Sequence, residues 1–122
     1  MAFHNLQVGQ AGEAAASNYI SKYGYKVIER NWRSPQWGEI DIVAIKGDTL
    51  VCVEVKSRLG NEFGNPEEAV TYGKIKALKR TMQYYSETHP DLPRSLRIDV
   101  VAVILEPETL EALSFELFED AQ

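Results

Sequence analysis

Asp41, Glu54 and Lys56 are the side chains in this sequence best suited to chemistry on a phosphate. Two carboxylates held close together take a hard divalent cation, Mg²⁺ or Mn²⁺, through their oxygens. An ammonium beside them can orient a water or stabilise charge developing on a phosphoryl oxygen. Such a set performs metal-dependent hydrolysis of a phosphodiester, provided the chain brings its members together.

The register of one hairpin decides whether it does. Gly47-Asp48 has the composition of a two-residue turn between runs rich in Ile and Val. With those two as the turn, Lys46 pairs with Thr49, Asp41 lies opposite Glu54, and Glu39 lies opposite Lys56. Side chains alternate across a sheet, so the four charges share one face, and Ile40, Ile42, Ala44, Val51, Val53 and Val55 form the other, which is core. Directly opposed carboxylates have Cβ atoms only ~5 Å apart and repel. Placing the sheet between helices worsens this, because neither charge is then fully solvated. A solvated hairpin with an ordinary Glu39–Lys56 ion pair would carry the same residues, but the flanking Val and Ile mark these strands as central. A slip of one residue would undo the opposition.

The elements that must position these groups follow from periodicity. Residues from about 9 to 23 read as a helix, with Ala16, Tyr19, Ile20 and Tyr23 on one face and Gly24 as its C-terminal cap. A strand follows from Tyr25 through Val27 and Ile28 towards Trp32. Ser34-Pro35-Gln36 turns the chain into strands Glu39 to Ile45 and Leu50 to Ser57. Arg58 to Asn65 is a loop. Pro66 opens a second helix with Glu67 and Glu68 in its first turn, and Thr71, Ile75, Leu78, Met82 and Tyr85 mark its apolar face. His89 to Pro93 ends that helix, Ile98 to Leu105 forms a buried strand, and a short strand near Ser114 to Phe118 closes the series. The order αβββαβ predicts an α/β domain with a central mixed sheet flanked by helices, spanning 1–122, with the strand after the helical crossover parallel to its neighbour.

Composition narrows the setting. With 44% apolar and 25% charged residues the chain has the balance of a soluble globular domain. A lone cysteine, Cys52, permits no internal disulfide and suits a reducing compartment, and no apolar run reaches membrane-spanning length; a cytoplasmic protein without a membrane partner is expected. The net charge of −5 weighs against a simple nucleic-acid binder. The acidic residues collect at the C-terminus (Glu106, Glu108, Glu111, Glu116, Glu119, Asp120), away from the central segment.

Other constellations are weaker. His4 and His89 stand apart from the cysteine, which disfavours structural zinc, and Gly9 and Gly12 belong to no phosphate-cradling loop. Cys52 has no nearby histidine to activate it. Trp32 and Trp37 suit core edges better than base stacking, and Arg97 and Asp99 share a strand face as a structural ion pair. Read alone, Glu13 complements the dipole of the first helix, and Arg33, Arg58 and Lys74 are surface cations.

A longer series of motifs changes that weighting. Asp41, twelve residues, then Glu54-Val55-Lys56 resembles the PD-(D/E)xK nuclease signature, with Ile40 in place of its proline. In order around it stand Gly9-Gln10-Ala11-Gly12-Glu13, Gly24-Tyr25, Asn31-Trp32-Arg33, Gly38-Glu39-Ile40-Asp41, Val53 to Arg58, Phe63-Gly64, Lys74 and Arg97-Ile98-Asp99-Val100. Together these resemble the YraN-like family of bacterial proteins over nearly the whole chain, departing mildly at Cys52 and Ile98, where an aromatic is usual. The resemblance implies a restriction-endonuclease-like core similar to archaeal Holliday-junction resolvases. It implies a metal site of Glu13, Asp41 and Glu54 with Lys56 as the fourth catalytic residue. It also implies Arg33, Arg58 and Lys74 as nucleic-acid contacts, branched DNA as substrate, and a homodimer. A second reading stays open: a module that keeps the fold and binds nucleic acid or protein without cutting.

Overall fold

Five strands form one sheet in the order β1-β2-β3-β4-β5. In the computed structural model, which describes residues 4–62 and 70–122, the elements run α1 (Asn5–Ser21), β1 (Lys26–Arg33), β2 (Glu39–Lys46), β3 (Thr49–Leu59), α2 (Tyr72–Thr88), β4 (Ser95–Leu105) and β5 (Ala112–Phe118). The fold is mixed α/β, and it carries one strand more than the αβββαβ order. β1, β2 and β3 form an antiparallel meander, β4 joins β3 in parallel, and β5 returns antiparallel on β4. The parallel pairing follows from α2, since a chain that leaves one strand and crosses over a helix re-enters the sheet in the same direction.

Each face of the sheet has its own core. Ala16 and Ile20 of α1 pack with Ile42, Ala44, Val51, Val53, Val101 and Val103. Ile75, Leu78, Met82 and Tyr85 of α2 pack on the other face with Ile40, Val43, Leu50, Cys52 and Ile98. The apolar face expected for the second helix is therefore the one it buries. Thr71 is the exception: it is the N-cap of α2, accepting the Lys74 backbone N–H at 3.2 Å, and the described helix begins at Tyr72. Pro66, Glu67 and Glu68, expected in the first turn, lie outside the described residues. No described helix is long and apolar enough to cross a membrane.

The hairpin register is the expected one from Lys46↔Thr49 to Ile42↔Val53, with Gly47 in the left-handed conformation at the turn (φ +62°). The register expectations fail beyond that point. The regular ladder stops at Ile42↔Val53, so it holds neither Asp41 opposite Glu54 nor Glu39 opposite Lys56; Asp41 accepts the Val55 N–H instead, and Glu39 pairs with Arg33 of β1 at 2.8 Å. Ile40 also packs under α2 rather than with Ile42 and Ala44. Strict alternation predicts neither, because β2 reverses its facing between residues 40 and 42.

α1 lies close on β3. A Cβ at Gly12 would come within 1.7 Å of the Ser57 Oγ, so the helix can approach this strand only with glycine at that position. Glycine inside a helix costs about 1 kcal/mol relative to alanine, and the contact explains its presence.

Candidate active site

Where the β2–β3 ladder ends, the side chain of Asp41 takes over from the backbone: its Oδ2 accepts the Val55 N–H at 2.9 Å. This brings Asp41 against β3 beside the carboxylate of Glu54. Glu54 is buried, 5% exposed. Two ammonium groups flank its Oε1, Lys74 Nζ at 3.6 Å and Lys56 Nζ at 3.8 Å. Both distances exceed direct hydrogen-bond length, ~2.7–3.2 Å, so the lysines balance charge without saturating the oxygens.

The two carboxyls answer as a buried like-charge pair should. Burial first, and then the neighbouring Asp41 charge, raise the Glu54 carboxyl to about 7, with Lys74 and Lys56 opposing. Burial also raises Asp41, although the Val55 N–H favours its charged form. Both carboxyls therefore hold a proton to higher pH than free ones.

A cavity of about 470 Å³ opens in front of the pair, walled by Glu13, Asn31, Glu39, Asp41, Lys56 and Arg58 among others. α1 contributes Glu13, buried and ion-paired to Arg30 at 3.3 Å. Burial, and then the Asp41 charge, raise the Glu13 carboxyl, and Arg30 partly offsets both. α1 begins at Asn5, so Glu13 lies in mid-helix and not at the positive dipole end expected for it; the charge it meets is that of Asp41.

The candidates from sequence thus divide. Glu13, Asp41, Lys56 and Arg58 line one cavity, Glu54 does not line it but meets Lys56, and Lys74 reaches Glu54 from α2. Arg58 is tied into the following turn, where its guanidinium donates to the Glu62 carbonyl. Arg33 does not line this cavity; it is bound to Glu39 and largely exposed. Among the remaining candidates, Trp32 packs edge-on against Tyr85, ring centroids 5.0 Å apart, whereas Trp37 stays partly exposed beneath Arg80. Arg97 binds buried Asp99 through both its Nε and an Nη at 2.9 Å, as expected for a structural pair. Sequence reasoning missed Arg30, which only tertiary placement brings to Glu13. It also missed the part Gly12 plays, for which a glycine inside a helix was the available signal.

The donor chemistry suits a hard divalent cation. Among the described residues no three His, Cys, Asp or Glu side chains are grouped to hold a metal ion. Asp41 and Glu54 offer two carboxylates, and Mg²⁺ is commonly held by one or two, completing its shell with water and substrate phosphate. Glu13, engaged by Arg30, is not a third direct ligand in this arrangement.

The chain belongs to the uncharacterised protein family UPF0102, whose pattern matches residues 12–103; this is the YraN family that the motif series resembles. It is 47% identical over 98 residues to a UPF0102 protein of Paenarthrobacter aurescens (strain TC1), covering 80% of this chain and 79% of that one. It is 42% identical over 102 residues to one from Syntrophomonas wolfei subsp. wolfei (strain DSM 2245B / Goettingen), covering 84% and 88%. Over 117 residues it is 41% identical to one from Syntrophus aciditrophicus (strain SB), covering 96% and 89%.

Proposed function

We propose that this chain is a metal-dependent nuclease of restriction-endonuclease-like fold, hydrolysing phosphodiester bonds in DNA, with branched DNA as its substrate class. The observation that carries the reading is the neighbouring pair of half-buried Asp41 and buried Glu54, with no direct lysine hydrogen bond to Glu54. Such a pair is costly to fold unless a cation occupies it.

Asp41 and Glu54 would hold Mg²⁺ or Mn²⁺, with Glu13 acting through an intervening water. Bound there, the ion supplies Lewis acidity and a water acidic enough to attack near neutral pH. Lys56 lies in the cavity wall beside Glu54, where its ammonium holds the attacking water or the phosphoryl oxygens. Lys74 and Arg58 add positive charge where a phosphate would enter, which offsets the net charge of −5 locally. A homodimer would present two such sites to the two equivalent cuts of a four-way junction. The lone cysteine, Cys52, is buried, in keeping with a cytoplasmic setting.

Calorimetric titration with Mn²⁺ tests the metal site apart from catalysis. Wild type is expected to bind Mn²⁺ and Asp41→Asn to lose that binding while staying folded. Equal binding by both would remove the proposed site.

A further inference from the structure

Asn31 lies inside β1 with φ +54°, a left-handed conformation foreign to strands. Its neighbours explain the backbone. Arg30 points towards α1, where it meets Glu13, whereas Trp32 points towards α2 and packs on Tyr85. Regular alternation would send both the same way. β2 makes the same reversal, Ile42 facing the α1 core and Ile40 the α2 core. The register Arg30↔Ile42 and Trp32↔Ile40 puts Asn31 opposite Asp41 at the centre of both reversals. One left-handed residue thus lets β1 turn together with β2 where Asp41 reaches across to β3.

That backbone role does not require asparagine, because glycine adopts the conformation without steric cost. What asparagine adds is a carboxamide in the cavity wall. β1 and β2 contribute Asn31, Glu39 and Asp41 to that wall, so Asn31 is the one residue from these two strands whose side chain can donate a hydrogen bond there, beside two carboxylates. A phosphate entering the cavity meets cations on the β3 side, from Lys56 and Arg58, and only negative charge on this side apart from Asn31.

We infer that Asn31 is a substrate-binding residue whose amide N–H donates to a non-bridging oxygen of the phosphodiester, on the side where Glu39 and Asp41 repel it. This inference rests on the nuclease reading. Asn31→Gly and Asn31→Asp test it, since glycine and aspartate both tolerate the left-handed backbone. Two quantities are measured: affinity for a labelled four-way junction by fluorescence anisotropy with Ca²⁺ replacing Mg²⁺, and KM and kcat with Mg²⁺. Binding should weaken about ten-fold in Asn31→Gly, the scale of one hydrogen bond to a charged group. It should weaken further in Asn31→Asp, which adds another carboxylate beside Glu39 and Asp41, with unchanged melting temperature in Asn31→Gly. A purely conformational role predicts wild-type affinity and KM in Asn31→Gly, whatever the added charge does in Asn31→Asp; that result overturns the inference and leaves the nuclease reading standing. A wild-type protein that neither binds nor cuts DNA overturns both together.

Discussion

The Val55 backbone N–H donates to Asp41 at 2.9 Å, and this contact ties the end of β2 to the strand that carries Glu54 and Lys56. It stands in for a ladder hydrogen bond at the point where regular pairing ends. It also fixes one carboxylate against the other. The repulsion that follows is a local cost in the metal-free protein, and its consequences are measurable.

Asp41→Asn keeps an oxygen to accept the Val55 N–H and removes the charge. Without metal the variant should be about 1 kcal/mol more stable than wild type at pH 8, a rise of several degrees in melting temperature for a domain of this size. Mn²⁺ should raise the wild-type melting temperature and leave that of Asp41→Asn unchanged. Scanning calorimetry reads both, and equal metal stabilisation in the two proteins would contradict the account.

Stability should depend on pH through Glu54. The folded carboxyl holds its proton up to about 7, whereas the unfolded one releases it near the ordinary 4.5. Between those values the folded state binds more protons, so metal-free stability declines as pH rises through the window. The full decline from this group is at most about 3 kcal/mol. Urea denaturation at pH 5 and pH 8 should show it in wild type and much less in Glu54→Gln. Mn²⁺ reverses the trend, because it competes with the proton and binds more tightly at the higher pH.

Much of this was legible in the sequence, for physical reasons that also mark the limits. The Gly47-Asp48 turn fixed the register as far as Ile42↔Val53, because hairpin geometry and the two apolar faces both resist a one-residue slip. The motif series added Glu13, which periodicity alone reads as a helix-terminal charge. Two things were hidden. The facing reversal at Asn31 and Asp41 breaks the period of two on which strand reasoning depends, so Ile40 was assigned to the wrong face and Glu39 to the wrong partner. The Glu13–Arg30 pair joins a helix to a strand, and no local pattern records such a contact.

Gly12→Ala gives opposite expectations from helix propensity and from packing. Propensity predicts a gain of about 1 kcal/mol. The contact with Ser57, 1.7 Å from the added Cβ, predicts a loss of about 1–3 kcal/mol as α1 is pushed off β3. Packing should win, and Gly12→Ala/Ser57→Gly should recover most of the loss. A stabilised single variant in urea denaturation would show that α1 does not sit this close.

The Asp99 hydrogen-bond network, on the strand beside Glu54, should act on folding alone. Asp99 is fully buried and accepts from Tyr25 Oη at 2.6 Å, from Arg97 at 2.9 Å and from the Asp120 backbone N–H at 2.9 Å. Asp99→Ala strands these donors and should cost about 3 kcal/mol. Mn²⁺ affinity measured on the folded fraction should stay at the wild-type value. A large change in that affinity would mean that the Asp99 network is coupled to the carboxylate pair.

Cleavage is the most direct test of the central claim. Labelled four-way junction, flap, single-stranded and duplex DNA would be incubated with the protein and Mg²⁺ or Mn²⁺, beside a Glu54→Ala control checked for folding. The account predicts cutting that requires metal, favours the branched substrates and vanishes in Glu54→Ala. Cutting that survives undiminished in Glu54→Ala, or no cutting of any substrate by folded, metal-loaded wild type, would contradict it; the second result would favour a binding module built on the same fold.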